Sequence, residues 1–174
     1  MKYLVKFFVV TFLVIVSTNV LADQKIVVLD MKYVLNKSKA GKGAQQYLKN
    51  KFNDDAKKYA NMEKDLKKEE KKLLDVKSSL SKEDYKKKSD QLRKKVIKFQ
   101  KGRRDSLDKT GELRAKAKAT LLKELTPILD NYISENNISI VIDKKNMLGG
   151  LKEFDITTTI VEKLDKKFPL LNLQ

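Results

Sequence analysis

The sequence predicts an α+β fold in which a long antiparallel helical hairpin, coiled-coil-like, leaves a small β-sheet body and returns to it. Three observations carry this expectation. From about Ala44 to Ile133 an apolar residue returns every seventh position, in a stretch holding one proline, Pro127, and two glycines, Gly102 and Gly111. Two short β-branched runs, 25–30 and 138–143, flank that stretch. Between its halves, Ser78, Ser79 and Ser81 interrupt the repeat over too few residues for anything but a reversal. Phe52, Tyr59, Leu66, Leu73 and Leu80 keep the sevenfold spacing, with Leu48, Met62 and Val76 on a companion seam, and Tyr85, Leu92 and Phe99, with Val96 beside them, form a second series. A mean period of about 3.5 residues belongs to helices that supercoil on a partner. Asp55, Glu69 and Ser89 fall where apolar residues are expected, so the arms should pack weakly and stay solvated.

In chain order, Lys2 and Lys6 make a basic start, residues 7–16 an apolar run broken by Thr11, and Val20-Leu21-Ala22 a small-x-small site. This is the three-part design of a secretory signal peptide, with cleavage expected between Ala22 and Asp23. An uncleaved anchor wants about 20 apolar residues, and Ser17, Thr18 and Asn19 shorten the run below that. Loss of Lys2 and Lys6 lowers the formal net charge from +16 to +14. Such an excess attracts anionic partners: acidic proteins, phospholipid or lipopolysaccharide head groups, nucleic acid. Export to the periplasm makes nucleic acid an unsuitable physiological partner. There is no cysteine, so no disulfide supports the exported chain, and packing or oligomerisation must do so.

The body opens with Ile26-Val27-Val28-Leu29 as a strand suited to burial on both faces, ended by Asp30. A brief helical turn carries Val34 and Leu35, and Ser38 is placed to cap the next helix. Gly41 and Gly43 in its first turns let another backbone come close. Gly41-Lys42-Gly43 lacks the spacing of a phosphate-binding loop. The first arm runs to about Lys77, and Ser81, followed by Glu83 and Asp84, starts the second, which extends to about Glu135. Between Lys49 and Arg104 there are 21 basic residues against 10 acidic ones, so the arms carry +11 of the net charge. Pairs such as Glu63 with Lys67, Asp65 with Lys68 and Asp90 with Lys94 suit a solvated face. The densest candidate anion site is Lys86, Lys87, Lys88, Arg93, Lys94 and Lys95.

Gly102 and Gly111 each cost a helix about 1 kcal/mol relative to alanine, and Ser106, Thr110 and Arg103 weaken the same region. Tolerated drift explains them, and so does a hinge that lets the outer arm swing. Beyond them the apolar face widens through Leu121, Leu122, Leu125, Ile128, Leu129, Tyr132 and Ile133, as a real core requires. Pro127 marks a kink or a change of partner. After Glu135-Asn136-Asn137, a second strand covers 138–143, with a return strand expected near Met147 and Leu148. Asp155-Ile156-Thr157 opens a closing helix with Ile156, Ile160, Val161 and Leu164 on one side, stopped by Pro169. The division is thus 1–22 signal peptide, 23–43 first part of the body, 44–112 hairpin, and 113–174 returning base, second strand region and closing helix. Two or three strands bury little alone, and self-association would also cover their edges.

The opening Ile26-Val27-Val28-Leu29-Asp30 with Val34-Leu35, Ser38 and Gly41, and the closing Ile140-Val141-Ile142-Asp143 with Asp155-Ile156-Thr157, resemble the Skp (OmpH-like) family of periplasmic chaperones over essentially the whole exported chain. The resemblance implies a homotrimer whose strands join in a central body, with three helical tentacles around a cavity. It implies an ATP-independent holdase for unfolded outer-membrane proteins, with no cofactor and no catalytic residue. The chain has neither histidine nor cysteine, and Asp30 and Asp143 stand in no catalytic motif, so no enzyme is expected. Tyr59, Met62, Tyr85 and Phe99 are candidate client contacts, with hairpin packing the simpler role for each. A structural coiled-coil envelope protein that binds a folded partner is the alternative.

Overall fold

The computed structural model describes residues 24–173; the expected signal peptide and its cleavage site lie outside them. Strand β1 (Lys25–Leu29) leads into helix α1 (Met31–Lys37), arm helix α2 (Lys39–Asp75) and a 3-10 turn at Lys77–Ser79. Arm helix α3 (Lys82–Glu135) returns to strand β2 (Ile138–Asp143), and helix α4 (Thr157–Lys167) closes the body. At 1.5 Å per residue the arms extend about 55 and 80 Å. Caps set their starts. The Ser38 hydroxyl, fully buried, accepts from the Gly41 amide at 3.2 Å, and that of Ser81 accepts from the Asp84 amide at 3.1 Å. At the far end of α3, Asn136 closes the last turn and Asn137 takes a positive φ of 51°.

The strands pair in parallel, β1 beside β2, so the whole hairpin is one crossover connection. The register pairs Lys25 with Ile138 but Ile26 with Ile140, a bulge at Ser139. That extra residue turns both Ile138 and Val141 toward the core. Val27, Leu29, Val34, Leu125, Ile128, Ile138, Ile156, Ile160 and Leu164 form the body core. The opposite face is open at one end: Ile26 and Ile140 pair side by side and are 41% and 49% exposed, while Val28 further along is buried. Burial of β1 on both faces is realised from Val27 to Leu29, where Val28 is buried too and is bridged by Asp155, and it is lost only toward Ile26.

The expected return strand near Met147 and Leu148 does not form. Residues 144–146 make a 3-10 turn, and the chain runs on without regular structure to a second such turn at 152–154. Leu148 projects fully into solvent, and the segment meets the free edge of β1 only at its end, where Asp155 bridges Val28. What fixes this segment is its end. The Ile156 amide donates to the Val28 carbonyl at 2.9 Å, and the Asp30 amide donates to the Thr157 hydroxyl at 2.8 Å. The Asp155 carboxylate accepts from the Thr157 amide at 3.0 Å and from Lys144 Nζ at 2.7 Å. Burial pushes the Asp155 carboxyl up, but these bonds outweigh it and hold it below the ordinary value. Asp30 and Asp143 cap as well, accepting from the Tyr33 and Lys145 amides at 2.7 and 3.2 Å.

A second cluster sits at the neck, where the arms leave the body: Ala40, Ala44 and Leu48 of α2, Ala117 and Leu121 of α3, and Leu171 and Leu173 from the segment after α4. Leu35 and Phe168 touch both clusters. Helix α3 changes partner between Leu121 and Leu125, just before Pro127, which lies inside an unbroken helix with its ring toward solvent.

Candidate functional site: the groove between the arms

Beyond Leu48 the seam is sparse. On the outer arms only Phe99 and Thr110 are buried, while Tyr59, Leu66, Leu73, Leu80, Tyr85, Leu92 and Val96 are half-buried. The sevenfold spacing continues through polar side chains. Ser106, seven residues past Phe99, donates its hydroxyl to the Asp55 carboxylate at 2.6 Å, and Thr110 donates to the Ser106 carbonyl at 2.9 Å. Glu69 is joined across the seam by Lys95. Two of the three interruptions that thin the seam, Asp55 and Glu69, thus pair across the hairpin. Sequence reasoning sees in Ser106 and Thr110 only weak helix formers, although both keep heptad spacing. Of the anticipated pairs within one arm, Glu63 with Lys67 forms at 2.8 Å and Asp65 with Lys68 at 3.6 Å.

The hydroxyl of Ser106 holds the Asp55 carboxyl below its ordinary 3.8, opposed by burial and aided by Lys51 at 3.3 Å. A carboxyl whose folded pKa lies below its unfolded value adds stability above the unfolded value and loses it as pH falls through the folded one. Asp55→Asn should therefore lower the urea midpoint at pH 7, and the gap to the parent should close below about pH 3.8. Urea titrations at pH 7 and pH 3 check this; an equal gap at both would assign the loss to packing.

Tyr59 and Phe99 meet edge to face with ring centres 6.0 Å apart, and the Tyr59 hydroxyl donates to the Gly102 carbonyl at 2.7 Å. A groove follows the seam here, lined by Phe52, Asp55, Tyr59, Phe99, Arg103 and Leu107. Phe52 and Leu107 are half exposed on its rim. A second groove toward the tip is lined by Leu66, Leu92 and Val96 with Lys67 and Arg93. Of the candidate client contacts, Tyr59 and Phe99 are thus brought together as seam. Met62 is 37% exposed, and Tyr85 stands near the tip with Lys77 Nζ 5.6 Å from its ring centre. Lys86, Lys87, Lys88, Arg93, Lys94 and Lys95 are all exposed on the outer third of the hairpin, and Lys95 is engaged by Glu69.

The two hinge candidates differ in surroundings. A Cβ on Gly102 would come within 3.2 Å of the Tyr59 hydroxyl, whereas one on Gly111 would meet nothing within 4 Å. Helix α3 runs unbroken through both. Gly111→Ala should gain about 0.8 kcal/mol from helix propensity. Gly102→Ala should gain clearly less, since the Tyr59 ring must yield a few tenths of an ångström. Thermal denaturation of the two variants measures the difference; equal gains would mean that Tyr59 yields freely.

Among the described residues no cluster of acidic side chains is arranged to hold a metal ion, and no helix is long and apolar enough to cross a membrane. The grooves carry mixed charge, with Asp55, Glu63, Glu70 and Asp90 beside Lys67, Arg93 and Arg103, and a solvated two-helix groove of this kind has the chemistry of many weak contacts rather than of one bound ligand. Comparison with known proteins agrees with that architecture. A "Skp-like protein" of Pseudomonas aeruginosa is 26% identical over 170 residues, 95% of this chain and 99% of the relative. A crystal structure from Caulobacter crescentus, provisionally described as an outer membrane chaperone (OmpH-like), superposes with a TM-score of 0.79 at 18% identity, covering 85% of this chain and 88% of that one; it establishes the shared fold. The family model for outer membrane protein (OmpH-like) matches residues 25–164, from the first residue of β1 to the last buried leucine of α4. The chain belongs to the OmpH-like family.

Proposed function

We propose that the protein is an ATP-independent periplasmic holdase, which keeps unfolded outer-membrane proteins from aggregating before insertion by holding them between the basic arms of a homotrimer. The observation that carries the reading is how little apolar surface the arms bury against each other. A permanent coiled coil would bury its seam, whereas here Phe52 is 51% exposed, Tyr59, Leu66, Leu73, Leu92 and Val96 are only half-buried, and Ile97 and Leu107 beside the seam are more than half exposed. An unfolded barrel protein is often acidic and carries scattered apolar residues. The arms' +11 attracts it from a distance, and exposed side chains then make weak contacts that fix no single conformation. Met62 and the free edges of Tyr59 and Tyr85 serve as contacts, and Phe99 supports Tyr59 from behind.

The exposed Ile26–Ile140 pair on β1 and β2, together with exposed Leu151 and Phe154, supports trimerisation through the body. A two-stranded sheet with bare edges and an exposed Ile26–Ile140 pair is incomplete as a monomer. The lysine-rich outer third, residues 86–95, suits anionic lipid or lipopolysaccharide head groups. Gly102 and Gly111 act as the hinge that adapts the cavity; unchanged client range on changing both to alanine would remove that role.

The decisive experiment is equilibrium binding of residues 23–174 to one labelled outer-membrane barrel, unfolded and folded, at about 0.15 M salt, where distant attraction is largely screened. Tight binding to the unfolded form alone is expected. Equal binding, or none to either, would favour a structural coiled coil with a folded partner.

A further inference from the structure

The segment after α4 does more than leave the body. Pro169 stops the helix, and from there burial alternates: Leu170 is 72% exposed, Leu171 9%, Asn172 exposed, Leu173 5%. A two-residue alternation is that of an extended chain, not of a helix. The two buried leucines sit among Ala40, Ala44, Leu48, Ala117 and Leu121 at the neck. Three of the five helical residues there are alanines, Ala40, Ala44 and Ala117. Small side chains at a helix–helix junction leave a trough, and the strap 168–173 fills it. Phe168, touching both clusters, fixes where the strap begins.

We propose that this trough is a docking site for an extended polypeptide segment with apolar side chains two residues apart, and that the strap occupies it in cis until such a segment displaces it. Strands of outer-membrane barrels have that period, since lipid-facing apolar residues alternate with polar ones facing the lumen. The identity of the partner rests on the holdase reading above, while the trough rests on the packing alone. Tethering gives the strap an effective concentration on the order of millimolar. A free segment competes poorly against that, whereas a segment of a client already held between the arms is itself tethered. The strap thereby excludes chance peptides and yields to captured chains.

The chain has no cysteine, so Leu170→Cys places a single fluorophore on the exposed side of the strap in the otherwise intact protein. Fluorescence anisotropy should fall as an unlabelled peptide of residues 168–174 is added to millimolar concentration. It should stay constant with a control peptide bearing aspartate in place of Leu171 and Leu173. No fall, or the same fall with both peptides, overturns the proposal. A second variant, Leu171→Ser with Leu173→Ser, empties the trough and should bind the labelled peptide at least tenfold more tightly than the parent does. If circular dichroism shows that this variant has lost its helices, the strap is a structural clasp and the displacement titration decides alone. An unfolded barrel protein in place of the peptide separates the two readings. A barrel that binds tightly while neither it nor the peptide moves the strap leaves the holdase standing and removes the trough. A peptide that displaces the strap while the barrel neither binds nor displaces it removes the holdase and leaves a peptide site.

Discussion

Replacing Gly41 with alanine is expected to destabilise the protein by about 3 kcal/mol, the upper part of the range for forcing an atom into a packed site. The added Cβ would lie 2.0 Å from the Leu35 carbonyl oxygen, and 2.9 Å from both the Leu35 carbonyl carbon and the Ser38 hydroxyl. None of these atoms is the free end of a side chain. The carbonyl belongs to α1, which is held to the core by the fully buried Val34, and Ser38 caps α2 through Gly41 itself. Relief would require α1 and α2 to separate, opening the junction that starts the hairpin. Gly43 is the internal control: nothing lies within 4 Å of its added Cβ, so Gly43→Ala should be neutral or gain up to about 1 kcal/mol. Urea unfolding at one fixed protein concentration, which matters for any chain that self-associates, compares the two. A loss at Gly41 below about 1 kcal/mol would show that the two helices part easily.

Leu125→Ala should cost a similar amount, about 3 kcal/mol, for a different reason. Leu125 is 1% exposed and packs in the body core with residues from both strands and from α1 and α4. Truncation removes three carbons' burial and leaves a cavity walled by strands and helices that cannot all collapse into it. Leu107, on the same helix but 52% exposed at the groove rim, provides the contrast. Its alanine variant should change stability by less than about 0.5 kcal/mol. The comparison separates residues that hold the body from residues left for contact. If both variants lost the same stability, the rim would be part of the core and unavailable to a client.

Much of this architecture was legible in the sequence because it rests on local rules. The heptad positions from Phe52 to Leu80 and from Tyr85 to Phe99, the serine caps at Ser38 and Ser81, and the aspartates ending both strands all act over a few residues. What escaped notice depends on distant partners. Asp55 reads as a defect until Ser106 is seen opposite it. Gly102 reads as a helix weakness until the Tyr59 ring is placed against it. The burial of Leu171 and Leu173 could have been suspected from their two-residue spacing after Pro169, but not their destination. The return strand near Met147 differs: apolar residues beside a turn suggest a strand, yet Leu148 stands in solvent and the chain joins the edge of β1 only at Asp155. The basic run 86–95 was legible as charge, and charge alone names no ligand.

The parallel pairing of β1 with β2 also bears on the order in which the protein folds. Lys25 and Ile138 are about 110 residues apart in sequence, and closing a flexible loop of that size costs about 4 kcal/mol by the logarithmic law. A short turn at the tip costs less than half of that, and each layer zipped down the arms brings the strands closer. The hairpin is therefore the assembly route of the sheet: contacts of low sequence separation form first and carry the high-order contact along. Nearer the N-terminus, β1 is available early and waits, an unpaired apolar strand, until the whole of α3 has followed it. The barrel strands attributed above to its clients face the same wait.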